Sequence, residues 1–235
     1  MSQAKVRAFP GPTDRVGIAV LASVPMMIVL MILASSASTR AVSLFFAMLT
    51  VVAQLVTVAV ATLWLTERWF PTASRGLSVV RRVIGPSALW LAAGVALVCT
   101  LGSLYLSEIA GFVPCTLCWY QRIGMYPLVV LLAVAAYRSA PQIARATLPL
   151  IGIASAISIY HYALERFPSL ESTATCDPSA PCSVVWIWRF HYISIPLMAL
   201  SGFALIATLV LLSTDDADRG REGGRRAVGE QAPSR

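Results

Sequence analysis

The stretch Val83-Ile-Gly-Pro-Ser-Ala-Leu-Trp-Leu-Ala-Ala-Gly-Val-Ala-Leu-Val-Cys-Thr-Leu-Gly-Ser-Leu-Tyr-Leu-Ser107 contains no charged side chain. About 20 such residues in a helix cross the hydrocarbon of a bilayer. Working outward, comparable uncharged runs cover 16–39, 41–66, 146–164 and 191–214, and 123–137 is long enough once Arg122 is admitted near its end. Of the 235 residues, 57% are hydrophobic and only 12% charged, whereas a soluble domain carries about 25% charged residues. A soluble enzyme, a secreted disulfide scaffold and a disordered protein are thereby excluded. The expectation is an all-α integral membrane protein with six spans near 16–35, 41–66, 87–109, 119–138, 146–165 and 192–213. The first run has a basic start, but it is far longer than the apolar core of a signal peptide and is expected to span.

The net charge of +7 could point to nucleic acid, but its placement argues against that. Of the 18 Lys and Arg residues, 14 fall in the N-terminal segment, the 68–82 segment, the pair Arg138 and Arg145, and the C-terminal tail. Arg40, Arg122, Arg166 and Arg189 alone lie in or beside the alternate segments. The positive-inside rule makes the rich set cytoplasmic, so both termini are inside and the outer loops lie near 36–40, 108–118 and 166–191. No basic patch remains outside these flanks for a nucleic acid. Three parts are expected: an N-terminal transmembrane hairpin with a basic linker (1–82), a four-helix bundle (83–214), and a disordered cytoplasmic tail (215–235). The linker should lie on an anionic leaflet, each arginine adding about 1 kcal/mol of attraction. No fixed-period repeat is present to suggest a solenoid or an inverted-repeat transporter.

Five cysteines occur. Cys99, inside a span, is most simply an apolar filler. Cys115 and Cys118 stand in Pro-Cys-Thr-Leu-Cys, and Cys176 and Cys182 in Cys-Asp-Pro-Ser-Ala-Pro-Cys. Both pairs fall on the outer side, an oxidising compartment in a bacterium, where disulfides persist. Loops this short constrain the unfolded chain little, about 2–2.5 kcal/mol for the longer one, which favours redox work over bracing. Cys118 stands where a helix begins, with Arg122 one turn along, and both features favour a thiolate, which is a good leaving group. Three other readings compete. A c-type haem is excluded because Trp119, not histidine, follows the motif. A structural zinc held by four cysteines and a pair of inert structural bridges in a membrane scaffold or transporter subunit stay open.

A dithiol oxidised at the membrane must pass on two electrons. With no Rossmann glycine pattern or haem ligand pair, the natural acceptor is a lipid-soluble quinone. Arg122 lies four residues inward from Cys118, and His161 four inward from Glu165, so both sit about 6 Å below the outer interface. Ionisable groups at that depth are costly and usually functional, against which stand snorkelling for Arg122 and a satisfied core histidine for His161. The cluster Trp186, Trp188, Phe190 and Tyr192 suits an interfacial segment, either an anchor or a lid.

The run Leu101-Gly-Ser-Leu-Tyr-Leu-Ser-Glu-Ile-Ala-Gly-Phe-Val-Pro-Cys-Thr-Leu-Cys-Trp-Tyr-Gln-Arg-Ile-Gly-Met-Tyr-Pro-Leu128 resembles the disulfide bond formation protein B (DsbB) family, nearest its shorter BdbC branch. Tyr160-His161-Tyr162, the 176–183 loop and Ile193-Ser-Ile-Pro196 match the same branch, and the resemblance covers roughly 87–213. It implies a four-helix membrane bundle that reoxidises a thioredoxin-like extracytoplasmic dithiol oxidase and passes electrons to a quinone, ubiquinone or menaquinone, in the bacterial plasma membrane. By the same resemblance, Cys176 would form the mixed disulfide with that partner, Cys182 would exchange with Cys115, and Cys118 would face the quinone. Arg122 and His161 would support the quinone. His191 stands where relatives often have glycine, and residues 1–82 have no counterpart in the family core.

Overall fold

The computed structural model describes residues 39–67, 71–171 and 175–230. The expected span at 16–35 lies outside the described residues. Helix α1 covers Thr39–Glu67 and α2 Pro71–Ile84. A single 3-10 turn, Gly85–Ser87, leads into α3, Ala88–Leu104, which widens into a π turn over Tyr105–Ile109. Helix α4 covers Thr116–Tyr137, the short α5 Pro141–Arg145, α6 Leu148–Arg166 and α7 Ile195–Glu230. Among the described residues, five helical stretches are long and apolar enough to cross a membrane: Thr39–Glu67, Gly76–Ile109, Thr116–Tyr137, Pro141–Arg166 and Ile195–Thr214. The chain is a multi-pass, all-α membrane protein.

Two segments depart from expectation. Within the expected linker, Pro71–Ile84 folds as α2, because Leu77, Val80 and Ile84 recur at helical spacing and give it an apolar stripe. Leu77 is buried with Val60 and Leu212. Arg81, expected at lipid headgroups, is instead only 5% exposed and pairs with Glu67 at 3.4 Å. The tail expected to be disordered is helical to Glu230. A helix already nucleated in the membrane extends at one hydrogen bond per residue, without a new nucleus to form.

Helices α3, α4, α6 and α7 close a ring in which each packs on two neighbours. Its core joins Ala92, Ala93 and Ala96 of α3 to Leu128 and Leu132 of α4, Ile151 and Ala154 of α6, and Phe203 and Ile206 of α7. Lipid gives helices no hydrophobic reason to associate, so small residues that permit close backbone approach matter most. Gly124 is the tightest case: a Cβ there would lie 2.6 Å from the Cβ of Ala154.

Helix α1 lies against α7 and α2. Its one mid-membrane amide, Gln54, donates to Ser201 Oγ at 3.0 Å and accepts from the Tyr192 hydroxyl at 3.1 Å. Near the start of α1, Arg189 Nη2 donates to Ser43 Oγ at 2.7 Å and to the Arg40 carbonyl at 3.2 Å. The N-terminal segment is thus bonded to the bundle at two depths.

Candidate active site

The site lies where α3 ends, α4 begins and α6 ends. The π turn closes with Ala110 N–H bonded to the Tyr105 carbonyl and Phe112 N–H to that of Leu106, both at 2.9 Å. The chain then runs extended to Cys115, the N-cap of α4, at φ −75° and ψ 174°. The sulfur of Cys115 accepts the Cys118 backbone N–H at 3.4 Å, satisfying a donor that every helix start leaves unpaired. The helix terminus therefore serves Cys115, not Cys118 as its position in the sequence suggested.

Cys115 and Cys118 are free, with sulfurs 3.0 Å apart, while Cys176 and Cys182 form a disulfide. Nε2 of His161 lies 3.6 Å from the Cys115 sulfur and 3.2 Å from the Cys182 carbonyl oxygen. Cys115, Cys176 and Cys182 share one buried cluster with Leu117 and Leu164. The hydrogen bond from the Cys118 thiol holds the Cys115 thiol down at about 4; burial opposes this, and His161 adds to the lowering. The donor atoms of Cys115, Cys118 and His161 lie within 4.8 Å of one another. The disulfide removes Cys176 and Cys182 from the four-cysteine zinc set.

On the other side of Cys118 a cleft of about 460 Å³ opens between α1, α3, α4 and α7. One end holds Cys118, Arg122, Ser103 and Gln121, and the rest is lined largely by apolar residues such as Leu91, Val95 and Val98. Arg122 Nε donates to Ser103 Oγ at 3.0 Å, Nη2 donates to the Ser103 carbonyl at 3.2 Å, and the guanidinium lies 5.1 Å from the Trp119 ring centroid. These contacts fix the cation beside Cys118 instead of letting it snorkel. A sulfur and a cation at one end of a long apolar cleft suit an amphipathic, lipid-soluble acceptor, and a quinone has that form.

The predicted residues therefore divide into two groups. Cys118 and Arg122 line the cleft, whereas His161 does not and instead joins Cys115 to the Cys176–Cys182 pair. His161 is 3% exposed, so it is a core histidine by burial, yet it touches both cysteine pairs. Trp186 of the interfacial segment lines the cleft and stacks on Phe112 at 5.1 Å. Three further residues carried no signal in the sequence. Ser103 holds Arg122, Gln121 donates to Ser158 Oγ at 3.0 Å and ties α4 to α6, and Glu171 accepts the Cys182 N–H at 2.6 Å and the Ser183 hydroxyl.

The comparisons fall on the same part of the chain. The family model described as Disulfide bond formation protein DsbB matches residues 85–213, more than half of the chain. The chain is 42% identical over 131 residues to the Disulfide bond formation protein C of Bacillus subtilis (strain 168), covering 56% of this chain and 93% of that protein. It is 43% identical over 120 residues to a Probable disulfide formation protein C 1 of Bacillus cereus, covering 51% and 86%. A Probable disulfide formation protein of Coxiella burnetii is 32% identical over 142 residues, covering 60% and 97%. No solved structure matches. The match begins at the turn between α2 and α3, takes in all four ring helices and both cysteine pairs, and leaves α1 outside; over that ring the chain belongs to the DsbB family of disulfide bond formation proteins.

Proposed function

We propose that this protein is a thiol–quinone oxidoreductase of the bacterial plasma membrane that sustains disulfide bond formation on the extracytoplasmic side. The observation that carries the reading is the position of the Cys115–Cys118 pair, which has a disulfide behind it and an apolar cleft with a fixed cation in front. The relatives named for disulfide bond formation support the same chemistry.

The substrate is the dithiol of a thioredoxin-like extracytoplasmic oxidase. Its thiolate attacks Cys176 and forms a mixed disulfide, and its second thiol resolves that bond. The partner leaves oxidised, with two electrons and two protons now on Cys176 and Cys182. Cys176 and Cys182 are 3% and 1% exposed, so attack needs the loop to lift from His161 and from its Glu171 clamp. The Cys182 thiolate then attacks Cys115 of an oxidised inner pair, Cys118 leaves as thiolate, and Cys176 closes the loop disulfide again. The inner pair is now the dithiol, and the loop pair is bonded again. His161 Nε2 is positioned to take the Cys115 proton, and a thiolate at Cys115 is ready to close the bond to Cys118. Bound in the cleft, a quinone would supply the acceptor for the two electrons and two protons released as that bond forms. Arg122 stabilises negative charge developing beside Cys118.

The test supplies the purified protein with a reduced thioredoxin-like partner and a quinone and follows quinone absorbance. Absorbance is expected to fall with partner oxidation in equal amounts and to stay constant with Cys118→Ser. Continued quinone loss in Cys118→Ser would refute the role of that sulfur.

A further inference from the structure

We propose that α1, which lies outside the matched family region, is the wall that holds the isoprenoid tail of the quinone. The inference rests on the quinone reading above and adds to it a residue set that the four-helix ring does not contain. Phe46, Leu49, Thr50, Val52 and Ala53 of α1 line the same cleft as Cys118 and Arg122.

The cleft is built lengthwise. Its charged residue, Arg122, lies at the Cys118 end with Ser103 and Gln121, and Leu91 lies 12 residues below Ser103 on α3, about 18 Å deeper at 1.5 Å per residue. That is over half the thickness of the bilayer hydrocarbon, about 30 Å. A redox ring held beside Cys118 has this apolar slot directly below it to receive its chain. Continuity with the cysteine and the arginine is what selects a quinone tail over the acyl chain of an ordinary lipid.

The wall is seated, not loosely adjacent. A Cβ at Gly102 would lie 2.8 Å from the Phe46 ring, so that ring rests directly on the α3 backbone, one residue from the Ser103 that holds Arg122. Below it, the Gln54 bonds to Ser201 and Tyr192 set the depth and rotation of α1. In hydrocarbon an unpaired amide costs several kcal/mol, so the register of this wall is strongly specified. Chains built from the ring alone would leave the tail against lipid, whereas this chain encloses it.

The test uses the full-length protein in nanodiscs and measures binding by quenching of tryptophan fluorescence, since Trp186 lines the cleft. A long-chain quinone, an analogue without a tail and a long-chain quinone with a photoreactive group on the tail are the probes. The photoprobe is expected to label peptides from 39–67. Ala53→Phe, which fills the slot from the α1 side, is expected to weaken long-chain binding about tenfold and to leave the tail-less analogue unchanged. Leu55→Phe, on the lipid-facing side of the same helix at 65% exposure, is expected to change neither. Labelling confined to α3, α4 and α7, or long-chain binding unaltered in Ala53→Phe, would overturn the inference and leave the quinone reading standing. Failure of the unaltered protein to bind either quinone would overturn both. The labelling needs no variant, so a misfolded Ala53→Phe cannot shield the proposal.

Discussion

Replacing Cys118 by alanine removes the thiol that donates to the Cys115 sulfur across 3.0 Å, the largest of the influences that lower the Cys115 pKa to about 4. Burial acts in the opposite direction, and the contact with His161 adds a smaller lowering. The consequence is large on a titration scale. At pH 5 a thiol of pKa about 4 is about 90% thiolate, while an ordinary thiol near 8.5 is about 0.03% thiolate, a difference of about three orders of magnitude. The assay is the ultraviolet absorbance of the thiolate in the reduced protein, titrated from pH 9 to pH 3 and referred to Cys115→Ser. The Cys115 signal is expected to persist from pH 8 through pH 5 and to vanish through about 4. In Cys118→Ala it should vanish at a higher pH. The folded-state pKa lies below the unfolded value, so the reduced protein gains stability from this group above the ordinary thiol pKa. That gain is lost progressively as pH falls toward about 4. A Cys115 midpoint near 8.5, or a midpoint that Cys118→Ala leaves at about 4, would show that the donor is not the cause.

Glu171→Ala removes the acceptor for the Cys182 N–H and the Ser183 hydroxyl; bonds to a charged group contribute about 1.5–3 kcal/mol, so trapping with an alkylating agent should show the loop disulfide reduced about tenfold faster by an external dithiol. Arg122→Met loses both bonds to Ser103 and is expected to raise the quinone KM about tenfold or more while leaving the KM for the dithiol partner unchanged, read from paired steady-state titrations. His191 is held at φ 63°, in the left-handed region, so His191→Gly should relieve about 1 kcal/mol of strain and raise the melting temperature in detergent by about 2–4 °C. In cells starved of quinone, alkylation trapping should find Cys115 and Cys118 accumulating as thiols; a pair that stays oxidised there would favour a structural role.

The helices were legible wherever a long uncharged run left a bilayer as the only sink for so much apolar surface, which is why the helices that begin at Thr39, Ala88, Thr116, Leu148 and Ile195 start within a few residues of the expected spans. Three features were hidden for identifiable reasons. Depth along a helix gives height but not azimuth, so Arg122 and His161, at one level, were grouped at the quinone although they face different neighbours. The capping residue of α4 depends on a boundary that sequence locates only within a residue or two, and this moved the helix-terminal N–H from Cys118 to Cys115. The bond between Gln54 and Ser201 joins residues 147 positions apart, and no local pattern announces such a pair.

That pairing bears on what α1 contributes beyond anchoring. An anchor needs only apolar length, and α1 would serve as one with leucine in place of Gln54. A glutamine inside hydrocarbon is tolerated only where partners meet it, and those partners, Ser201 and Tyr192, come from α7 and the loop just before it. Interhelical hydrogen bonds of this kind contribute only about 0.6–2 kcal/mol in membranes, so their main effect is to choose one rotation of α1 among many of similar packing energy. The rotation chosen turns Phe46 onto Gly102 and Ala53 toward the cleft, while Leu55 faces lipid. Orientation, more than adhesion, is what these polar contacts supply, and an oriented helix beside Cys118 and Arg122 can shape what enters the cleft.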